Sequence, residues 1–143
     1  MRIEIQNLLN SDLSSNYIAT QTNVSQAVIS KLRNCKREIG NLSLDSAEKL
    51  YNYEMERMAM KKINDFYNFM NENFKLIKEE EGIKEYDLND TYFCRVVDFG
   101  TDLDIDIFYK KQGKTAEEFS IESTDSESKI DFVEKMIIGK SKM

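Results

Sequence analysis

Residues 25–37, SQAVISKLRNCKR, set four cations on a segment that has no carboxylate and also carries a helix start and an apolar face. Ser25 is the type of residue that caps a helix by accepting a bond from a free backbone N–H one turn in. Val28, Ile29 and Leu32 recur at helical spacing. A helix so patterned buries those three residues and leaves Gln26, Ala27, Ser30 and Lys31 outside. Short and amide side chains near a helix N-terminus suit base edges in a major groove, while Lys31, Arg33, Lys36 and Arg37 suit phosphate. Upstream, residues 14–21 read as a short helix with a serine cap, followed by a turn at Thr22, Asn23 and Val24. Ala19 falls where two steeply crossing helices need a small side chain. Asn23 stands where the turn wants tolerance of positive φ, and Val24 where an apolar plug closes the corner. A generic helical hairpin with a solvated basic face would share the charges but not the cap, turn and core spacing together.

The other bounds narrow the function classes. With 41% apolar and 32% charged residues the chain reads as a globular protein of one ordinary or two small domains. No stretch approaches the roughly 18 consecutive apolar residues of a spanning helix. The opening MRIEIQNLLN places acid and amide where a signal peptide has its apolar core, so a cytoplasmic location without membrane association is expected. Histidine is absent, which removes the commonest general base and metal ligand and argues against an enzyme. Cys35 and Cys94 are isolated and read as free thiols. No metal or other cofactor is expected.

Proline is also absent, so organisation must be read from periodicity. Residues 2–11 form a first helix with Ile5, Leu8 and Leu9 inward. A further helix starts at residues 42–47, with Ser43 as cap and Asp45 in the first turn. Its apolar row runs through Ala47, Leu50, Tyr51, Met55 and Met58 and resumes as Ile63, Phe66, Tyr67, Met70, Phe74 and Ile77. One long helix and two helices hinged near residues 57–62 both fit. Either way the aromatic row must be covered, by a C-terminal sheet or by a second subunit. From residue 91 the period becomes two: strands at 91–99, 103–109 and 116–121, with turns at 100–102 and 112–113. Asp125 or Ser126 then caps a last helix with Ile130, Val133, Met136 and Ile137 inward. The expected fold class is α+β. An all-α bundle over residues 1–57 leads through a long connecting helix to residues 58–143, an acidic unit of helix, three antiparallel strands and helix.

Charge divides along the chain in the same way. Residues 1–60 carry seven basic and seven acidic side chains, so the whole net charge of −6 falls on the remainder. Asp98, Asp102, Asp104 and Asp106 mark an acidic face suited to a basic groove in a partner protein, although such a face also serves to keep a sheet edge from aggregating. A Mg²⁺ site for phosphodiester hydrolysis fits poorly, because Lys110 lies four residues beyond Asp106 with no acid two positions before it.

These N-terminal motifs carry a resemblance. Residues 1–57 resemble the helix-turn-helix domain of the phage repressor (Cro/cI, or XRE) family, an all-α bundle that reads operator DNA. The resemblance implies that Ser15 contacts phosphate at the start of the first motif helix. It makes Ser25, Gln26, Ala27, Ser30 and Lys31 the recognition-helix start and base-edge candidates, and Arg33, Asn34, Lys36 and Arg37 the flanking backbone contacts. The family usually has Gly where this chain has Asn23, and often Gly where it has Cys35. The second departure implies a reshaped loop over residues 35–41, with Gly40 taking up the strain. The strings LLNSDLSSNYIA, VSQAVISKLRN and NLSLDSAEKL are, more narrowly, similar to the domain shared by certain staphylococcal phage-borne anti-CRISPR proteins of type II systems. That resemblance implies a homodimer that represses its own promoter at a palindromic operator, with a C-terminal domain that inhibits a type II Cas nuclease. It does not extend to residues 61–143, and a simple repressor whose C-terminal domain only dimerises it is the alternative.

Overall fold

The computed structural model describes residues 1–143 as an α+β chain of two compact units, Met1–Met58 and Ala59–Met143. The first unit contains α1 (Arg2–Leu9), α2 (Ser15–Thr22), α3 (Gln26–Arg33), a 3-10 turn at Ile39–Asn41 and the beginning of α4 (Leu44–Asn73). Ile5, Leu8, Ile18, Ile29 and Leu50, all 0% exposed, form its centre. Each fully buried aliphatic side chain of this size contributes about 1.5–3 kcal/mol relative to exposure, so these five are where a single truncation would cost the unit most. Serine caps work at three helix starts. Ser14 accepts from the Tyr17 N–H at 3.0 Å, Ser43 from Ser46 at 3.2 Å, and Ser126 from Lys129 at 3.3 Å. Ser25 occupies the cap position of α3, but its side chain accepts no such bond, contrary to the expectation from sequence.

The choice between one long helix and two resolves as a single helix of 30 residues. Its apolar row serves two cores in turn: Leu50 belongs to the first, while Ile63, Phe66 and Met70 belong to the second. A continuous helix tolerates the blurred stretch because Arg57 there has a local role, closing a two-pronged bond on Glu54 at 2.8 and 3.0 Å. Glu54 is only 2% exposed, a carboxylate that its own helix neutralises from three residues away.

The second unit corrects the expected strand count from three to five. The strands β1 (Lys75–Glu80), β2 (Ile83–Asp87), β3 (Tyr92–Asp98), β4 (Leu103–Tyr109) and β5 (Thr115–Ile121) form one antiparallel sheet in sequential order, followed by α5 (Glu127–Ser141). The missed pair lies where Phe74 and Ile77 continue a helical spacing. The helix in fact stops at Asn73, and β1 is exposed along its whole length, so no alternation marks it. The two-residue connection Glu81-Gly82 closes that hairpin, with Gly82 at φ 75°, where a side chain would be strained. Tyr86, Cys94, Val96, Leu103, Ile105 and Ile107 line the inner face and pack with Phe66 and Met70 of α4 and Val133 and Ile137 of α5. Both helices therefore cover one face of the sheet, and the other stays unpartnered within this unit.

Candidate nucleic-acid interface and acidic sheet face

In the first unit α2 and α3 are joined through Asn23, Val24 and Ser25. Asn23 takes φ 60° and donates its N–H to Ala19 O at 2.9 Å, ending α2 in the left-handed cap that asparagine tolerates. Val24 is 5% exposed. Thr22 ties the corner, donating its hydroxyl to Ile18 O at 2.7 Å and accepting from the Val24 N–H at 3.3 Å. On α3, Ile29 and Leu32 are buried and Val28 half-buried, which turns Gln26, Ala27 and Lys31 fully outward. Ser25, Asn34 and Lys36 are exposed as well, and Ser30 is half-buried. Among these outward groups are two amides, a methyl and two ammonium side chains, with no acidic residue from Ser25 to Arg37.

Not every residue of the expected contact set is free. Arg33 is half-buried and its guanidinium points into its own unit. Nε donates to Leu9 O at 3.0 Å, Nη1 to Ser15 Oγ at 3.1 Å, and Nη2 to Leu13 O at 2.6 Å and Ser11 O at 3.5 Å. Ser15 is the acceptor in one of these bonds, so its own hydroxyl proton remains to be donated. Arg37 is half-buried and donates from Nη2 to Asn41 O at 3.2 Å.

The loop after α3 also departs from expectation. Gly40 is not in the left-handed region; Cys35 is, at φ 58°. The Cys35 N–H bonds Leu32 O at 3.2 Å and the Lys36 N–H bonds Lys31 O at 2.8 Å, the paired closure of a helix end that normally places glycine where Cys35 stands. Gly40 is constrained differently, since a Cβ there would lie 2.8 Å from Arg2 Nη2.

In the second unit the four expected aspartates do not share one face. Asp104 and Asp106 do lie on the outer face of β4, since Leu103, Ile105 and Ile107 alternate with them and are buried. Asp98 pairs in register with the inward Leu103, and its Oδ1 accepts the Gly100 N–H at 2.7 Å to shape the turn. Asp102 accepts the Ser123 N–H at 3.1 Å. Both are turn-holding carboxylates, because chain reversals leave N–H groups that acids satisfy. Cross-strand register adds two acids that periodicity within single strands cannot assign to this face: Glu118 opposite Asp106, and Glu85 opposite Arg95. Asp104, Asp106 and Glu118 line a shallow depression of about 290 Å³ with Phe119 and Ser120. Burial, and after it Glu118 and Asp104, push the Asp106 carboxyl above the ordinary aspartate range.

Beside the acids the same face carries an aromatic pair. Phe93 and Phe108 stack with ring centres 5.1 Å apart and 17° between planes, and the Arg95 guanidinium lies 4.8 Å over Phe108 while bonding Glu85 at 2.8 Å. The one cation in the middle of the face is thus already neutralised. The two thiols are unpaired: Cys35 is exposed, whereas burial pushes the Cys94 thiol up to about 12. No helix is long and apolar enough to cross a membrane. No group of three or more Cys, Asp or Glu side chains is placed to hold a metal ion. No protein-family model matches the chain, and no curated protein matches it.

Proposed function

We propose that the chain is a phage-encoded, bifunctional anti-CRISPR protein. Its first unit binds a palindromic operator as a homodimer and represses transcription, and its acidic second unit inhibits a type II Cas nuclease by protein binding. The observation that carries the DNA-binding half is the outward set Gln26, Ala27, Lys31, Asn34 and Lys36 at and after α3, in a stretch without a carboxylate. An amide and a small methyl near the helix start suit base edges, and the lysines suit phosphates. Support for the second half is chemical. Asp104, Asp106 and Glu118 converge on an unpartnered sheet face with an aromatic pair beside them, a surface complementary to cationic side chains of a nucleic-acid groove. The identity of that partner rests on the resemblance of the N-terminal strings alone.

The full chain tests both halves. A duplex selected by the chain from a random library is bound by the wild type and lost by Gln26→Ala combined with Lys31→Ala, while inhibition of guided DNA cleavage persists. Asp104→Lys with Asp106→Lys gives the opposite pattern. Loss of both activities in either variant refutes separate modules. The alternative, a repressor whose second unit only dimerises it, draws on the apolar side chains that unit exposes, Phe99 at 64% and Phe132 at 56%. It predicts that Phe132→Asp yields monomers by sedimentation and that no nuclease is inhibited.

A further inference from the structure

Arg33 closes α3, and its guanidinium reaches three successive pieces of chain: the last residue of α1 at Leu9, the connection at Ser11 and Leu13, and the first residue of α2 at Ser15. A guanidinium has five N–H donors in a planar fork, and four are committed here. Three of the four acceptors are carbonyls at the end of α1 and in the loop behind it, where a helix C-terminus leaves carbonyls without intrahelical partners. None of the fork's bonded partners is acidic: three are backbone carbonyls and the fourth is the Ser15 hydroxyl. A lysine has the charge but cannot reach four acceptors from one plane.

We infer that Arg33 is a positioning residue for DNA binding: its fork locks α3 to the α1–α2 connection and orients the Ser15 hydroxyl. The inference rests on the DNA-binding reading of the first unit. Ser15 Oγ receives the Nη1–H at 3.1 Å, which fixes its lone pair inward and turns its own O–H away from Arg33. The residue that follows the outward face of α3 thereby sets the angle between that face and the start of α2. These are the two places where the chain meets base edges and phosphate under the proposed function. The cation at 33 works through geometry, whereas the exposed Lys36 works through charge.

The test uses the full chain and a duplex that it selects from a random library, with affinity measured across a salt series. Counterion release makes the slope of log K against log salt shallower by about 0.9 for each phosphate that the protein no longer neutralises. Arg33→Lys and Arg33→Met are both expected to bind about tenfold more weakly than wild type with the slope unchanged, since the fork and not the charge is removed. Lys36→Gln makes the slope shallower by the equivalent of about one phosphate and serves as the control. Amide exchange in the free protein supplies a readout independent of DNA: the bonded amides among residues 10–15, those of Asn10, Ser11 and Leu13, exchange faster in Arg33→Lys while the core amides of Ile18 and Ile29 stay protected. Retained affinity in Arg33→Lys together with a reduced slope in Arg33→Met would make Arg33 a phosphate ligand and overturn the inference. So would unchanged exchange at Asn10, Ser11 and Leu13. Failure of the wild type to select any duplex overturns the DNA-binding reading itself, and faster exchange in Arg33→Lys then leaves the fork as a structural tie only.

Discussion

Replacing Cys35 by glycine should stabilise the first unit. Cys35 sits at φ 58°, and holding that conformation costs an L-residue with a Cβ about 1–2 kcal/mol. Glycine removes this strain but gives the unfolded chain more freedom, which costs about 0.4–1 kcal/mol in the other direction. The side chain is exposed, so its removal forfeits little packing. The difference is a gain of about 0.5–1 kcal/mol, because the two N–H bonds to Leu32 and Lys31 carbonyls are kept. A unit of this size has a urea slope near 1 kcal/mol per molar, so the midpoint moves up by roughly 0.5–1 M. The assay is urea unfolding followed through the amide signals of Ile18 and Ile29, which report this unit alone. Cys35→Asn should give about half the gain, since asparagine adopts the left-handed region more readily, and Cys35→Ala should stay within about 0.5 kcal/mol of wild type. If alanine gained as much as glycine, the thiol and not the backbone would be responsible, and the strain argument would be wrong.

Other expectations follow from the same structure. Phe66→Ala, at a position 0% exposed in the second core, should cost about 3–5 kcal/mol in denaturant unfolding, and a loss below about 1 kcal/mol would contradict its place there. Arg57→Met strands the nearly buried Glu54 carboxylate and should cost about 1–3 kcal/mol, the lower part of the range for a buried pair because the arginine is 38% exposed. Adding Glu54→Leu should recover most of that loss, and an additive double variant would show that the two residues do not act as a pair. Asp106 has a raised carboxyl pKa, so the stability it contributes is present below the ordinary aspartate range and is lost as pH rises through the raised value. Asp106→Asn should therefore melt higher than wild type at pH 7, with the difference closing as pH falls through the raised value and gone below about 3.9. A pH-independent difference would refute the assignment.

Amphipathic rows and turn residues made much of the fold legible in the sequence. Helix starts with serine, the positive-φ asparagine at 23 and the alternation along β3 and β4 are local signals, and local physics places them in the structure as in the sequence. The aspartates at 104 and 106 face outward for the same reason, since a strand's period of two leaves no other choice once Leu103, Ile105 and Ile107 are buried. Resemblance to a repressor family added Ser15 and Asn34 to the groups expected to contact DNA, an expectation that periodicity alone could not supply.

Tertiary structure decided what depends on partners distant in the chain. An exposed strand such as β1 carries no hydrophobic alternation, so only its pairing with β2 reveals it, and Ile77 reads as helical until that pairing exists. Arg33 looks like one more phosphate-seeking cation, yet carbonyls 20 to 24 residues earlier come within reach and take its donors. Glu118 joins the acidic face through cross-strand register, while Asp98 and Asp102 leave it because turns need their oxygens. The sequence by itself determined the short helices of the first unit, the last helix, three of the five strands and the outward groups of α3, since those follow from periods of 3.6 and 2, while the extent of α4 stayed open. Which charges are committed inside the fold was left to the tertiary structure, because a hydrogen bond is decided by distance and direction, and neither is encoded in residue type.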